Sequence, residues 1–99
     1  MPPDGMIEVR TPNVPGYTHR VDARKYAIMR DALLPLIPAG GMTASEMVAA
    51  VRPKLPKGMF GHEAVQWWVK AVQLDLEARG ILARDREAKP LRWRRTRRR

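Results

Sequence analysis

The sequence contains no cysteine and only two histidines among its 99 residues. The absence of cysteine excludes disulfides, thiolate metal sites and a cysteine nucleophile. It also suits a reducing compartment, so we expect a cytoplasmic protein. His19 and His62 are far apart, and no carboxylate stands at metal-ligand spacing from either. We therefore expect no metal site.

Long apolar runs are also missing, since no segment approaches the roughly 20 apolar residues that span a bilayer. The first ten residues, MPPDGMIEVR, lack the basic start and apolar stretch of a secretory signal. No glycine-rich nucleotide loop is present, and the residue types assemble no nucleophile–base pair. We therefore expect no membrane partner, no cofactor, no small-molecule substrate and no enzymatic activity.

Acidic side chains are scarce, and their shortage is uneven along the chain. Ten Asp and Glu oppose 19 Lys and Arg, which gives a net charge of +9. Residues 84–99 carry nine basic and two acidic side chains, whereas residues 1–83 carry ten and eight. Such a block of charge favours a polyanionic partner, because the planar guanidinium of arginine binds phosphate in a bidentate way.

The length predicts one domain, and the N-terminal part offers two helices. Residues 1–21 hold four of the nine prolines and are predicted to form an arm with a short strand at 6–9. The first helix is predicted to begin at Asp22, a good N-cap, and to loosen at Pro35, which lacks an N–H. The second helix begins with a capping box, Thr43-Ala44-Ser45-Glu46, and buries Ala44 on its inner face.

The segment from His62 to Leu82 is predicted to be the longest helix, the centre of the core and the start of a strand. One narrow arc of the helix is polar and is predicted to be exposed; it comprises Glu63, Gln66, Lys70, Gln73 and Glu77. Trp67 and Trp68 are both predicted to be buried. Asp75 falls inside the apolar arc, where an unpaired carboxylate is costly, so we expect an ion pair with Arg79 or Arg30.

A β-hairpin is predicted after Gly80, which stands at the left-handed C-cap position of the long helix. Ile81–Arg84 and Leu91–Arg94 read as short strands joined by a polar turn. Trp93 is predicted to cover the edge of the core rather than to stack on a nucleotide. Residues 95–99 have no apolar anchor and are expected to be a mobile basic tail.

The order of elements predicts a mostly α fold with a small β-hairpin: a winged helix-turn-helix over residues 22–94, flanked by the arm and the tail. The segment WWVKAVQLDLEARGIL, residues 67–82, is similar to the last helix and first wing strand of bacterial winged-helix domains. It resembles the N-terminal domain of Mrr-type restriction proteins. With TPNVPG, residues 11–16, and the Tyr26 helix, it also resembles a small family of uncharacterised bacterial winged-helix-like proteins. These residues occupy core and cap positions, so the resemblance implies a fold more than a function.

The resemblance implies that the long helix enters the major groove of DNA. Gln66 and Gln73 would then read adenine edges, and Lys70 would meet guanine or phosphate. The predicted nucleic-acid surface comprises Lys54, Lys57, His62, Gln66, Lys70, Gln73, Arg84, Arg86, Lys89, Arg92, Arg94, Arg95, Arg97, Arg98 and Arg99.

The leading hypothesis is binding of double-stranded DNA, mainly through backbone phosphates, as in a transcriptional regulator. Two alternatives remain open. A winged helix can dock on a protein or form a homodimer, and Glu63 and Glu77 suit that use because carboxylates repel phosphate. An arginine-rich tail also binds RNA, since it does not discriminate RNA from DNA.

Overall fold

The structure, a computed structural model, describes residues 5–13, 16 and 18–96. It contains two antiparallel hairpins and three helices in the order β1 (Met6–Arg10), β2 (Thr18–Asp22), α1 (Ala23–Leu33), α2 (Ala44–Val51), α3 (Ala64–Ala78), β3 (Leu82–Asp85) and β4 (Arg92–Arg95). Short 3₁₀ turns follow α1 and α2. Over these residues no helix is long and apolar enough to cross a bilayer. The predicted tail arginines Arg97, Arg98 and Arg99 lie outside the described residues.

The N-terminal segment forms a β-hairpin, of which the sequence predicted only the first strand. β1 pairs with β2 in a register that runs from Met6↔Asp22 to Arg10↔Thr18. The second strand escaped prediction because it buries only Val21 and exposes its other side chains, so it shows no alternating pattern. Val9 and Val21 both belong to the core, and β1 packs against α3 and α1.

Asp22 caps α1 as predicted, since its side chain accepts a hydrogen bond of 2.9 Å from the Lys25 amide. The helix ends at Leu33 and continues as a 3₁₀ turn through Pro35, where the missing N–H and the ring prevent a regular α-helix. Its buried face carries Tyr26, Met29 and Leu33.

The capping box at the start of α2 is confirmed. The Glu46 amide donates to Thr43 Oγ1 at 3.1 Å, and the Thr43 amide donates to Glu46 Oε1 at 3.0 Å. Met47 and Val51 are fully buried. Ala44 was predicted on the buried face but is exposed, because it lies in the first turn of α2, before the buried face that Met47 and Val51 form.

The helix α3 is the centre of the core and ends as predicted. Its inner face buries Val65, Trp68, Val69, Val72 and Leu76. Gly80 has φ +82°, its amide donates to the Glu77 carbonyl at 3.1 Å, and the Ile81 amide donates to the Leu76 carbonyl at 2.9 Å. This pair of bonds is a Schellman ending, and it turns the chain directly into β3.

The C-terminal hairpin is held on both sides. β3 and β4 pair from Leu82↔Arg95 to Asp85↔Arg92. On its other edge Trp93 exchanges backbone hydrogen bonds of 2.8 and 2.9 Å with Met42, which lies between α1 and α2. Past the predicted end of the strand, Arg95 pairs with Leu82, and the Thr96 amide donates to the Ile81 carbonyl at 2.9 Å.

A buried carboxylate joins the N-terminal hairpin to two helices. Asp75 has no exposed surface and accepts hydrogen bonds from the Tyr26 hydroxyl, from Arg79 Nε at 2.8 Å and from the Arg10 amide at 2.8 Å. The predicted pair of Asp75 with Arg79 is therefore confirmed. Arg79 also donates to the Glu8 carbonyl at 3.0 Å, so its guanidinium bridges α3 and β1.

We predict that Asp75→Asn lowers the free energy of unfolding by about 2 kcal/mol. Loss of one partner of a fully buried ion pair costs about 3–5 kcal/mol, and the cost is smaller here because the Arg79 side chain is 33% exposed. Urea unfolding measures the change. The control is Asp31→Asn, which removes the same charge from a pair that is 70% exposed on the carboxylate side and should cost at most about 0.5 kcal/mol. Equal losses of stability in Asp75→Asn and Asp31→Asn would contradict the structural role assigned to Asp75.

Because the Tyr26 hydroxyl is buried, we predict that the protein loses stability at alkaline pH. Burial, and then the hydrogen bond to Asp75, raise the pKa of the Tyr26 hydroxyl above its ordinary value. Its stabilising contribution is therefore complete below about pH 10 and declines as the pH rises further, because the unfolded chain releases the proton first. Urea unfolding between about pH 9 and 11 should show a steeper loss for the native chain than for Tyr26→Phe. Parallel curves of unfolding free energy against pH for the native chain and for Tyr26→Phe would refute this prediction.

Candidate functional site

A groove of about 550 Å³ opens between α2, α3 and the C-terminal hairpin. We call it the α3 groove. It is lined by Asn13 of the β1–β2 loop, by Ala44, Ser45 and Val48 of α2, by Gln66, Trp67, Val69, Lys70, Gln73 and Leu74 of α3, and by Arg84, Leu91 and Trp93 of the hairpin. Its volume lies within the range of about 300–1,000 Å³ that is usual for ligand pockets.

The wall of the α3 groove contains an exposed tryptophan. Trp67 was predicted to be buried but is 50% exposed, whereas Trp68 is buried as predicted. Neighbouring residues of a helix point about 100° apart. The buried face of α3 runs through Val65, Trp68, Val69, Val72 and Leu76, which leaves Trp67 on the other side of the helix. The Trp67 ring meets the Trp68 ring edge-on, with centroids 5.2 Å apart. Leu91, 37% exposed, lines the same groove.

The polar arc of α3 is only half exposed, which corrects the prediction for Gln73 and Glu77. Gln73 is 3% exposed, and the Glu77 side chain is 9% exposed. The cause is the C-terminal hairpin, which covers the second half of the arc. Arg84 Nη2 and Trp93 Nε1 donate to Glu77 Oε1 at 3.0 and 2.9 Å. Gln66 and Lys70, in the first half, stay exposed.

Arg84 was predicted as a phosphate contact, but the structure engages it internally. Its side chain is 15% exposed, pairs with Glu77 and lies over the Trp93 ring at 5.3 Å from the centroid. Arg92 is partly engaged, since it donates to the Gly41 carbonyl at 3.2 Å and to Glu46 at 3.4 Å. Trp93 is 7% exposed, which confirms that it covers the core.

Two buried polar atoms beside the α3 groove have no hydrogen-bond partner within the described part of the chain: Gln73 Oε1, an acceptor, and Arg84 Nε, a donor. Both residues line the groove. Buried polar groups of a folded protein are nearly always hydrogen-bonded, so each unpaired one calls for an explanation. Both atoms are closed to solvent, so the packing of the C-terminal hairpin on α3 leaves them unpaired inside the fold.

The α3 groove has a positive bias. No carboxylate is among the residues that line it, and Lys70 is exposed without an acidic partner among the described residues. The Arg84 charge is offset by Glu77. The groove therefore favours an anionic or neutral occupant that also presents an apolar face.

Four exposed cations of the C-terminal hairpin form a separate surface, which we call the basic hairpin: Arg86, Lys89, Arg94 and Arg95. None has an acidic partner within the described residues. A second cavity of about 470 Å³ at the base of the hairpin is lined by Ala39, Arg94, Arg95 and Thr96. These side chains remain available to an external anion.

The remaining predicted residues lie away from the α3 groove. Lys54 and Lys57 are exposed in the connection between α2 and α3, and neither lines the groove. His62 was predicted to begin the long helix but lies in the turn before α3, where it is exposed. Its carbonyl accepts a hydrogen bond of 2.9 Å from Arg52, and its ring lies 3.3 Å from the same guanidinium. Within the described residues no group of three or more His, Asp or Glu could hold a metal ion.

The fold and the site define a small α/β domain of three helices and two hairpins. Its groove is lined by no carboxylate and lies beside an exposed basic strand. Residues 6–93 match a family of unknown function, DUF6958, so the chain belongs to that family. This span includes all three helices and nearly all of both hairpins. The match gives no link to Mrr-type proteins or to a winged-helix family. No curated protein and no solved structure matches the chain.

Glu77 accepts two hydrogen bonds, and we predict that loss of its charge destabilises the protein. Glu77→Gln removes the charge that neutralises Arg84 and weakens the bond from Trp93, and we expect a loss of about 2–3 kcal/mol in the free energy of unfolding. Urea unfolding measures this loss. The matched control, Glu87→Gln in the exposed turn of the hairpin, should change it by less than about 0.5 kcal/mol. An unchanged free energy of unfolding in Glu77→Gln would show that the carboxylate does not fix the hairpin.

Proposed function

We propose that residues 23–95 form a winged-helix-type domain, in which β3 and β4 are the wing. Three features support this classification. The helices α1, α2 and α3 precede the hairpin without interruption, α3 passes directly into β3, and Met42 pairs with Trp93 on the free edge of β4. Through this pairing, the segment around Met42, between α1 and α2, takes the place of a third strand in the sheet. A winged helix has the same arrangement.

We further propose that the domain binds nucleic acid, with double-stranded DNA favoured, through its backbone phosphates. The observation that carries this proposal is the basic hairpin. Arg86, Lys89, Arg94 and Arg95 are exposed, follow directly after α3 and are unpaired among the described residues. Exposed arginines and lysines supply most of the sequence-independent affinity for a phosphate backbone.

Two further observations on α3 support the same function. Glu77, which by sequence would repel phosphate, is withdrawn into the contact with Arg84 and Trp93, so its charge is neutralised. Gln66 and Lys70 remain exposed on the first half of the helix. With Gln73 buried, few side chains are left to read bases, and the affinity should depend little on sequence.

The test is a salt titration of binding to a random-sequence DNA duplex, followed by fluorescence anisotropy. The variant replaces two hairpin cations, Arg94→Gln with Arg95→Gln. Because each phosphate contact contributes about one unit to the slope of log affinity against log salt, we expect the slope to fall by about two. Neither side chain takes part in an internal ion pair, so the fold should be unaffected.

The charge-matched control is Arg20→Gln with Arg24→Gln, two exposed cations on β2 and in the first turn of α1. This control lowers the net charge equally but leaves the hairpin intact. Equal slopes for the two double variants would show that the basic hairpin has no special role. Competition between duplex DNA and duplex RNA separates these two ligands, since only RNA offers 2′-hydroxyls in a wide minor groove.

A protein partner is the second candidate function, and the exposed apolar side chains of the α3 groove favour it. Trp67 and Leu91 are 50% and 37% exposed, and exposed aromatic anchors are typical of protein interfaces. Light scattering on the purified chain tests the simplest case, a homodimer. A monomer that binds duplex DNA would favour the first candidate.

A further inference from the structure

We propose that the α3 groove binds one unpaired nucleobase of a nucleic acid strand whose phosphates lie along the basic hairpin. This inference rests on the proposed function and deepens it, because it adds recognition of an unpaired base by the groove to phosphate binding by the hairpin. The ligand class is a single-stranded segment of DNA or RNA, or a duplex with an unpaired base.

Trp67 provides the stacking surface. It is half exposed, although a tryptophan at an internal helix position would ordinarily be covered. Its described aromatic neighbours, Trp68 and His19, lie at 85° and 64° to its plane, so neither is stacked on it. A base stacks on an aromatic side chain whatever its identity, because every base has a π face.

The lining of the groove also provides exposed hydrogen-bonding side chains. Ser45 of α2 and Gln66 of α3 both line the groove and are exposed. Each nucleobase carries donors and acceptors on its edge, so these two side chains can bond to a base that stacks on Trp67.

The charge of the groove favours an anionic ligand, and stacking decides between a nucleotide and an acidic peptide. The lining holds no carboxylate and includes exposed Lys70, and Leu91 links the groove along the chain to the basic hairpin. A nucleotide brings a planar ring for Trp67 and a phosphate for the cations. The Asp and Glu side chains of an acidic peptide would satisfy the cations but offer Trp67 no aromatic face.

The experiment compares oligo(dT), oligo(U) and a blunt DNA duplex by fluorescence anisotropy with the native chain and with Trp67→Ala. We expect Trp67→Ala to weaken binding of the single strands about 5- to 150-fold, the equivalent of one stacked base. Duplex affinity should stay unchanged. Trp67→Phe should retain most of the affinity, because a smaller aromatic ring still stacks.

Two controls separate stacking from a general loss of apolar surface or of fold. Ile81→Ala removes another exposed apolar side chain, 40% exposed, that does not line the groove, and it should leave all affinities unchanged. Native tryptophan fluorescence should be quenched by oligo(dT), and the quench should be lost in Trp67→Phe. Thermal unfolding followed by circular dichroism confirms that each variant is folded.

The outcomes distinguish this inference from the proposed function. If Trp67→Ala leaves single-strand binding unchanged, or weakens single-strand and duplex binding equally, the groove does not hold a base, while phosphate binding by the hairpin stands. If no nucleic acid binds at low salt, both proposals fail. Comparison of oligo(dT) with oligo(U) then tells whether the strand is DNA or RNA.

Discussion

Asp75 is the point at which three parts of the fold meet. Its carboxylate has no exposed surface, and its three donors come from α1, from β1 and from the residue that follows α3. A buried carboxylate is tolerated only when its charge and lone pairs are satisfied, so the position requires all three elements in place at once. The N-terminal hairpin is thereby fixed against the C-terminal end of α3, next to the C-terminal hairpin that pairs with Glu77.

A second carboxylate, Glu77 in the second half of α3, holds the C-terminal hairpin in a similar way. Glu77 accepts from Arg84 and Trp93, so the hairpin that carries the exposed cations Arg94 and Arg95 is held against α3. The contact neutralises the Glu77 carboxylate and the Arg84 guanidinium, and it leaves Arg94 and Arg95 as external cations. The same fold therefore separates an apolar groove from a basic strand.

Much of the local structure could be predicted from the sequence because its signals are short-range. The N-cap at Asp22, the capping box at Thr43, the glycine ending at Gly80 and the hairpin after it all depend on residues within one or two turns. The partner of Asp75 was also predictable, since Arg79 is one helical turn away. The strand β2 was not, because its alternation is weak and its pairing partner lies across a proline-rich turn.

By itself the sequence determined the helices, their caps, the excess of positive charge and its concentration at the C-terminal end, all of which follow from composition and local spacing. Only the tertiary structure decided which polar residues of α3 reach solvent. Helical periodicity places Gln73 and Glu77 with Gln66 and Lys70 on one arc, but the hairpin that folds back from Gly80 covers the first pair and leaves the second exposed. The same packing turned Trp67 outward beside buried Trp68, because periodicity specifies an angle around a helix and only the neighbouring elements specify what lies at that angle.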